Sequence, residues 1–89
     1  MKNVAQIPFS RNADHRTLTY FFQNLKTIRK IHRLRQKEIA ELLDINRPAY
    51  SAYEAGRALP KLTVLRKLKE HFGYTYEQLL DDLITEDTP

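Results

Sequence analysis

The sequence predicts an all-α fold, a single compact domain of five helices, and three observations support this prediction. Apolar residues recur at intervals of three and four along most of the chain, which is the spacing that lines one face of an α-helix. Capping residues and glycines separate these periodic segments. No segment shows the alternation of a β-strand, and 89 residues suffice for one hydrophobic core but not for two.

The first two helices follow an N-terminal segment without a helical period. Residues 1–16 contain Pro8 and are expected to form a flexible arm. Thr17 is the predicted N-cap of the first helix, which runs to about Ile31. Its apolar face consists of Leu18, Phe21, Phe22, Leu25 and Ile28. The second helix is predicted from about Gln36 to Leu43, because Ile39, Leu42 and Leu43 share one face.

The third helix is short and begins with a clear capping pattern. Asp44 and Ile45 interrupt the apolar period, and Asn46 is expected to cap a helix with Pro48 in its first turn. Gly56 stands where such a helix ends in a left-handed residue. The sequence therefore predicts a third helix over 46–55.

Two more helices complete the predicted domain, which spans residues 17–82. The fourth ends at Gly73, and its predicted apolar face consists of Leu62, Val64, Leu65, Leu68 and Phe72. Thr75 is expected to cap the fifth helix, whose predicted buried residues are Tyr76, Leu79, Leu80 and Leu83. Residues 83–89 are expected to be a frayed acidic tail.

Charge is distributed unevenly along the chain. The net charge is +4, but residues 1–76 carry all 15 Lys and Arg with 6 Asp and Glu, whereas residues 77–89 carry 5 acids and no base. Six bases and no acid lie between Lys26 and Lys37. Such a density suits a polyanion, although a solvated helix face would have the same composition.

Several classes of function are disfavoured by composition. The chain has no cysteine, and His15, His32 and His71 are not spaced as metal ligands on one helix, so no metal site and no cofactor is expected. With two glycines there is no phosphate-cradling loop, and no constellation suggests a catalytic residue, so the protein is not expected to be an enzyme. The absence of a signal peptide or long apolar run favours a cytoplasmic protein without membrane contact.

The region from Leu25 to Leu80, about two-thirds of the chain, resembles the Cro and lambda-repressor-like helix-turn-helix (XRE-type) family. The resemblance is carried by Ile28-Arg29 late in the first helix, QKEIAELL in the second, the turn DIN, RPAYSAYEAG in the third, and Pro60 before the fourth. It implies a sequence-specific regulator of transcription, a repressor, that reads the major groove of double-stranded DNA with the helix 46–55.

The resemblance also implies roles for individual residues. Tyr50 and Tyr53 face inward, which leaves a base-reading surface of Arg47, Pro48, Ser51 and Ala52. The expected phosphate contacts are Gln36, Arg35, Arg33, Asn46, Arg57 and Lys61. Arg29 and Glu54 match a structural ion pair of the family.

The chain departs from the family pattern around its two turns. Arg33 and Asp44 stand where glycine is common and a positive φ is expected, and Arg35 stands where a serine or threonine usually caps the second helix.

Partners are less closely constrained. A homodimer on DNA is expected, with the fourth and fifth helices as its surface and Leu83 and Ile84 exposed at its end. One alternative is an antitoxin whose terminal segments, 1–16 or 77–89, cover a toxin protein while its DNA binding serves autoregulation. Another is a protein that keeps the fold without DNA binding.

Overall fold

In the computed structural model, which describes residues 11–85 and their side chains from residue 19, five helices and no strand are present. The helices are α1 (Arg11–Ile31), α2 (Gln36–Leu42), α3 (Arg47–Glu54), α4 (Leu62–Phe72) and α5 (Tyr76–Leu80). The predicted all-α, five-helix architecture is confirmed. None of these helices is long and apolar enough to cross a lipid bilayer.

The core forms around the apolar face of α1. Its side chains at Phe21, Leu25 and Ile28 are fully buried. α3 and α5 both pack on α1, while α2 packs on α3 and α4 on α5. Because α2 and α3 together comprise only 15 residues, they depend on this packing rather than on helix propensity for their stability. The rest of the buried core consists of Ile39, Ala40, Leu43, Tyr50, Tyr53, Val64, Leu65, Leu68, Tyr74, Leu79 and Ile84.

The start of α1 differs from the prediction. The helix begins at Arg11, six residues before its expected N-cap Thr17, so Thr17 lies inside the helix. The segment RNADHR contains neither proline nor glycine, so nothing in it terminates a helix that the apolar face further along already stabilises. Residues 11–16 of the expected arm are therefore helical, and residues 1–10 lie outside the described residues.

Three of the turns end a helix in the same way. Arg33, Asp44 and Gly56 have φ values of 56°, 60° and 75°, so all three are left-handed. In each case the amide of the following residue donates to a carbonyl five residues earlier, as from Leu34 N to Arg29 O (2.9 Å), from Ile45 N to Ala40 O (3.0 Å) and from Arg57 N to Ala52 O (2.8 Å). This is the Schellman arrangement, and the positive φ expected at Arg33 and Asp44 is confirmed.

The helix starts follow the capping chemistry of their residues. Asn46 Oδ1 accepts from Ala49 N (2.8 Å) and Thr75 Oγ1 accepts from Gln78 N (3.0 Å), which confirms both predicted caps. Arg35 has no side-chain acceptor for α2; instead Glu38 Oε1 accepts from the Arg35 backbone amide (2.7 Å). The second helix therefore begins with half of a capping box.

The segment after α5 is packed rather than frayed as far as it is described. Asn24, almost fully buried on α1, donates from Nδ2 to Leu79 O (2.9 Å) and Asp82 O (2.8 Å), and its Oδ1 accepts from Ile84 N (2.8 Å). Ile84 is consequently buried, and its expected exposure is wrong, because a hydrophobic side chain anchored by its own amide falls into the core.

Two predicted core positions are exposed: Leu62 is 82% exposed and Tyr76 42%, so neither belongs to the core. Leu83, for which both burial on the fifth helix and exposure at the dimer surface were expected, is 49% exposed. Leu62 and Tyr76 are the first residues of α4 and α5, where no other helix covers the side chain. Leu83 follows the end of α5.

Candidate nucleic-acid interface

The two tyrosines of α3 determine which side of the helix faces solvent. Tyr50 is fully buried and Tyr53 is 4% exposed, and the Tyr53 ring meets Phe21 edge-on at 6.3 Å between centroids. Residues three positions apart share a helix face, so the opposite face points outward. The predicted inward orientation of both tyrosines is confirmed.

The predicted base-reading residues lie on the other side of α3, with unequal exposure. Arg47 and Pro48, in the first turn, are exposed, whereas Ser51 and Ala52 are half-buried. The structure thus places all four at the surface of α3, but only the first turn projects fully. Asn46 is exposed beside them, and its Oδ1 is occupied by the Ala49 amide, which leaves the Nδ2 group as a donor.

An ion pair joins α1 to the last turn of α3. Arg29 Nε donates to Glu54 Oε2 (2.6 Å) and Arg29 Nη2 donates to Glu54 Oε1 (3.3 Å), while Arg29 Nη1 donates to the carbonyl of Leu34 (3.3 Å). The structure thus brings together the predicted pair. It also fixes the turn before α2, because Leu34 is part of that turn.

Two further donors reach the Glu54 carboxylate. The Tyr50 hydroxyl, which also lies 3.2 Å from the carbonyl of Leu25, hydrogen-bonds Glu54 Oε2, and Gln36 Nε2 donates to Oε1 (3.1 Å). The Tyr50 contact was detectable in the sequence, because residues 50 and 54 are one helical turn apart. The Gln36 contact was not, since it joins two different helices.

Burial and hydrogen bonding shift the ionisation of this cluster. Burial raises the pKa of Glu54, but hydrogen bonds from Arg29, Tyr50 and Gln36 outweigh it and bring the pKa below its usual value. The same Arg29–Glu54 hydrogen bond favours the charged guanidinium and so raises the pKa of Arg29. Burial raises the pKa of the Tyr50 phenol. The carboxylate and the guanidinium therefore both stay charged at neutral pH.

The remaining predicted phosphate contacts are cations without an acidic partner in the part of the chain described. Arg33 and Arg35 precede α2, Arg57 follows the left-handed end of α3, and Lys61 precedes α4; all four are exposed. Among the described residues, the Arg29–Glu54 pair is the only salt bridge. These four charges are therefore available to an external anion.

Two short helices joined by a tight turn, braced by α1 and by a partly buried ion pair, define a helix-turn-helix domain. The helix-turn-helix family model matches residues 25–79, more than half of the chain, and the chain belongs to this family, of the XRE type that the sequence predicted. Members of the family are regulators of transcription rather than enzymes.

Three similar proteins have regulatory names. The chain is 38% identical over 60 residues to the uncharacterised HTH-type transcriptional regulator YqaE of Bacillus subtilis, covering 67% of this chain and 52% of that protein. It is 33% identical over 67 residues to the HTH-type transcriptional activator BcrR of Enterococcus faecalis, covering 73% and 33%. It is 31% identical over 62 residues to the cryptic phage CTXphi transcriptional repressor RstR of Vibrio cholerae, covering 70% and 56%.

The match covers only part of each of these relatives. The chain spans about half of YqaE and RstR and a third of BcrR. No solved structure matches the chain significantly.

Proposed function

We propose that this protein is a sequence-specific DNA-binding regulator of transcription that inserts α3 into the major groove of double-stranded DNA. The observation that carries the proposal is the exposure of Arg47 in the first turn of α3, together with the exposed, unpaired cations that precede α2 and follow α3 along the chain. The major groove is about 12 Å wide and admits one α-helix, and flanking cations fix such a helix on the phosphates.

Each side chain has a distinct part in this proposal. Arg47 reads base edges, with Pro48, Ser51 and Ala52 forming the apolar and hydroxyl surface beside it. Gln36, Arg33, Arg35, Asn46, Arg57 and Lys61 contact phosphates. Because few long side chains lie on the outward face of α3, the shape of the DNA also contributes to specificity.

The proposal is tested by selecting duplexes from a random library and measuring affinity against salt concentration. Each phosphate contact releases counterions, so the logarithm of the binding constant falls steeply with the logarithm of salt concentration. Arg57→Ala should reduce the slope by about one and weaken selected and random duplexes alike. The matched control is Lys26→Ala, since this exposed lysine of α1 is assigned neither to a phosphate nor to the dimer surface.

Failure to retain any duplex at low salt would refute DNA binding by this protein. A loss with Arg57→Ala that is confined to one sequence would instead show that Arg57 reads a base.

Repression by occupancy is the regulatory mode that we propose. A domain bound over a promoter blocks RNA polymerase sterically, and this needs no surface for contacting the polymerase itself. RstR is named a repressor and BcrR an activator, so the names of the relatives support regulation in general.

We further propose that the protein binds as a homodimer, because one short module buries little DNA surface. The proposed dimer surface consists of exposed residues: Leu62, Arg66 and Lys69, which follow one another at one-turn spacing on α4, together with Tyr76 and Leu83. The acids Glu77 and Asp81 lie beside it, so a two-fold axis pairs the basic part of one copy with the acidic part of the other. Sedimentation on a palindromic duplex should give two protomers per duplex, and a single protomer would contradict the dimer.

A further inference from the structure

The Glu54 carboxylate collects hydrogen bonds from residues of three helices, and one donor is a residue expected to bind DNA. Arg29 donates from α1, Tyr50 from the preceding turn of α3, and Gln36 Nε2 from the first position of α2 at 3.1 Å. Glu54 is only 8% exposed in its side chain. The Gln36 side chain is therefore tied to a fixed point instead of moving freely at the surface.

We propose that Glu54 is a positioning residue that holds the Gln36 carboxamide in the orientation in which it donates to a DNA phosphate. The inference rests on the proposed DNA-binding function. A carboxamide nitrogen carries two N–H groups at a fixed angle in one plane. Once the first N–H is bonded to Glu54 Oε1, the direction of the second is set, and this second N–H has no acceptor within residues 19–85.

The arrangement works because the carboxylate is itself immobile and stays ionised. Arg29 binds both of its oxygens, so the negative charge is neutralised locally and does not repel a phosphate. Hydrogen bonds to the charged form keep the pKa of Glu54 low, so it remains an acceptor at neutral pH. The ordering of the Gln36 side chain is then complete before DNA arrives, and a preordered donor binds more tightly than a flexible one.

The test is a scan of the selected duplex with single methylphosphonates, each of which removes one phosphate charge. In the wild type, one substitution should weaken binding about fivefold to tenfold through loss of the Gln36 contact. Gln36→Ala and Glu54→Gln should both become insensitive at that same position. Arg57→Ala should lose sensitivity at a different phosphate.

The matched control for charge removal is Glu41→Gln, an isosteric change at an exposed position of α2. It should retain the wild-type pattern. If Glu54→Gln keeps full sensitivity at the phosphate that Gln36→Ala loses, Glu54 does not position Gln36. If wild type and the Glu41→Gln control bind no duplex at all, the proposed function fails and this inference with it.

A second measurement avoids dependence on a folded Glu54 variant. In ¹⁵N-labelled wild-type protein the two side-chain protons of Gln36 give separate resonances, as in any primary carboxamide, and the proton bonded to Glu54 should lie downfield of its usual position. On adding the duplex, the resonance of the other proton should shift while the first stays in place. Equal shifts of both protons, or no shift of either, would overturn the proposal.

Discussion

At the scale of single residues, Arg33 and Asp44 are the two positions where an L-amino acid takes a left-handed conformation, within the described residues. Their φ values are 56° and 60°, which glycine adopts freely and other residues adopt at a cost of about 1–2 kcal/mol. Aspartate tolerates this region better than arginine. The chain thus retains a strained arginine among its exposed cations, at the turn before α2.

Replacing these residues with glycine should separate stability from DNA binding. Arg33→Gly should raise the free energy of unfolding by about 1 kcal/mol, and Asp44→Gly by less, as measured by urea denaturation. Arg33→Gly should also weaken DNA binding and flatten its salt dependence, because it removes a phosphate contact. Asp44→Gly is the matched control, because it relieves the same strain without removing a cation. A destabilised Arg33→Gly would contradict the account of this turn.

Glu54 gives the stability of the fold a defined dependence on pH. Its pKa in the folded protein lies below the usual 4.5; burial raises the pKa, but the three donors lower it by more. A group of this kind stabilises the fold fully above its unfolded pKa, and this stabilisation is lost as the pH falls through the folded pKa. Acidification below 4.5 should therefore destabilise the protein in part through Glu54.

The measurement compares urea unfolding of the wild type and Glu54→Gln between about pH 7 and pH 3. The variant lacks the titrating group, so the difference in unfolding free energy between the two proteins should shrink steadily below 4.5. A difference that stays constant over this range would show that Glu54 is not more acidic in the folded state.

At the scale of elements, α3 combines an anchored face with a free first turn. Tyr50 and Tyr53 hold it on α1, so substitutions at Arg47, on the exposed side, should leave the fold intact. Arg47→Ala should cost about 1–3 kcal/mol of binding free energy on the preferred site and relax one base position, because arginine bonds the O6 and N7 of guanine together.

The check is a site-selection profile of wild type and Arg47→Ala, with helicity compared by circular dichroism. Ser51→Ala serves as the companion variant, since Ser51 is half-buried and should matter less. Identical profiles for all three proteins would contradict direct readout by α3 and leave DNA shape or the N-terminal segment as the source of specificity.

At the scale of the whole molecule, Asn24 closes the fold by binding the end of the described chain to its first helix. Its amide donates to carbonyls at Leu79 and Asp82, and its oxygen accepts from the Ile84 amide; the bonds to Leu79 and Ile84 are buried and the bond to Asp82 is partly buried. Removing the side-chain amide leaves the backbone groups of Leu79 and Ile84 buried without these partners, and each such group costs about 1–3 kcal/mol.

Asn24→Leu, which keeps the number and branching of the side-chain heavy atoms, should therefore lower the free energy of unfolding by at least about 2 kcal/mol. It should also remove hydrogen-exchange protection from the Ile84 amide. Gln23→Leu, at the exposed neighbouring position, is the control and should change stability by less than about 0.5 kcal/mol. Retained protection at Ile84 in Asn24→Leu would refute the conclusion that Asn24 holds the segment after α5 on α1.

The sequence by itself determined the number and class of the helices, the caps at Asn46 and Thr75, and the inward face of α3. These features follow from local rules, because capping, φ preference and helical period depend on residues within about one or two turns of one another. The Arg29–Glu54 pair and the left-handed residues at Arg33 and Asp44 were predicted from the family resemblance, which aligns positions of this chain with a known pattern and is not a local rule.

Only the tertiary structure decided the features that join distant segments. α1 begins at Arg11 because packing further along the helix already stabilises it. The presence of a capping residue type at Thr17 therefore did not determine where the helix begins. The burial of Ile84 depends on Asn24, sixty positions away, and the hold of Glu54 on Gln36 joins two helices. Such contacts leave no periodic or adjacent signature in the chain, because the geometry that creates them exists only once the helices have packed.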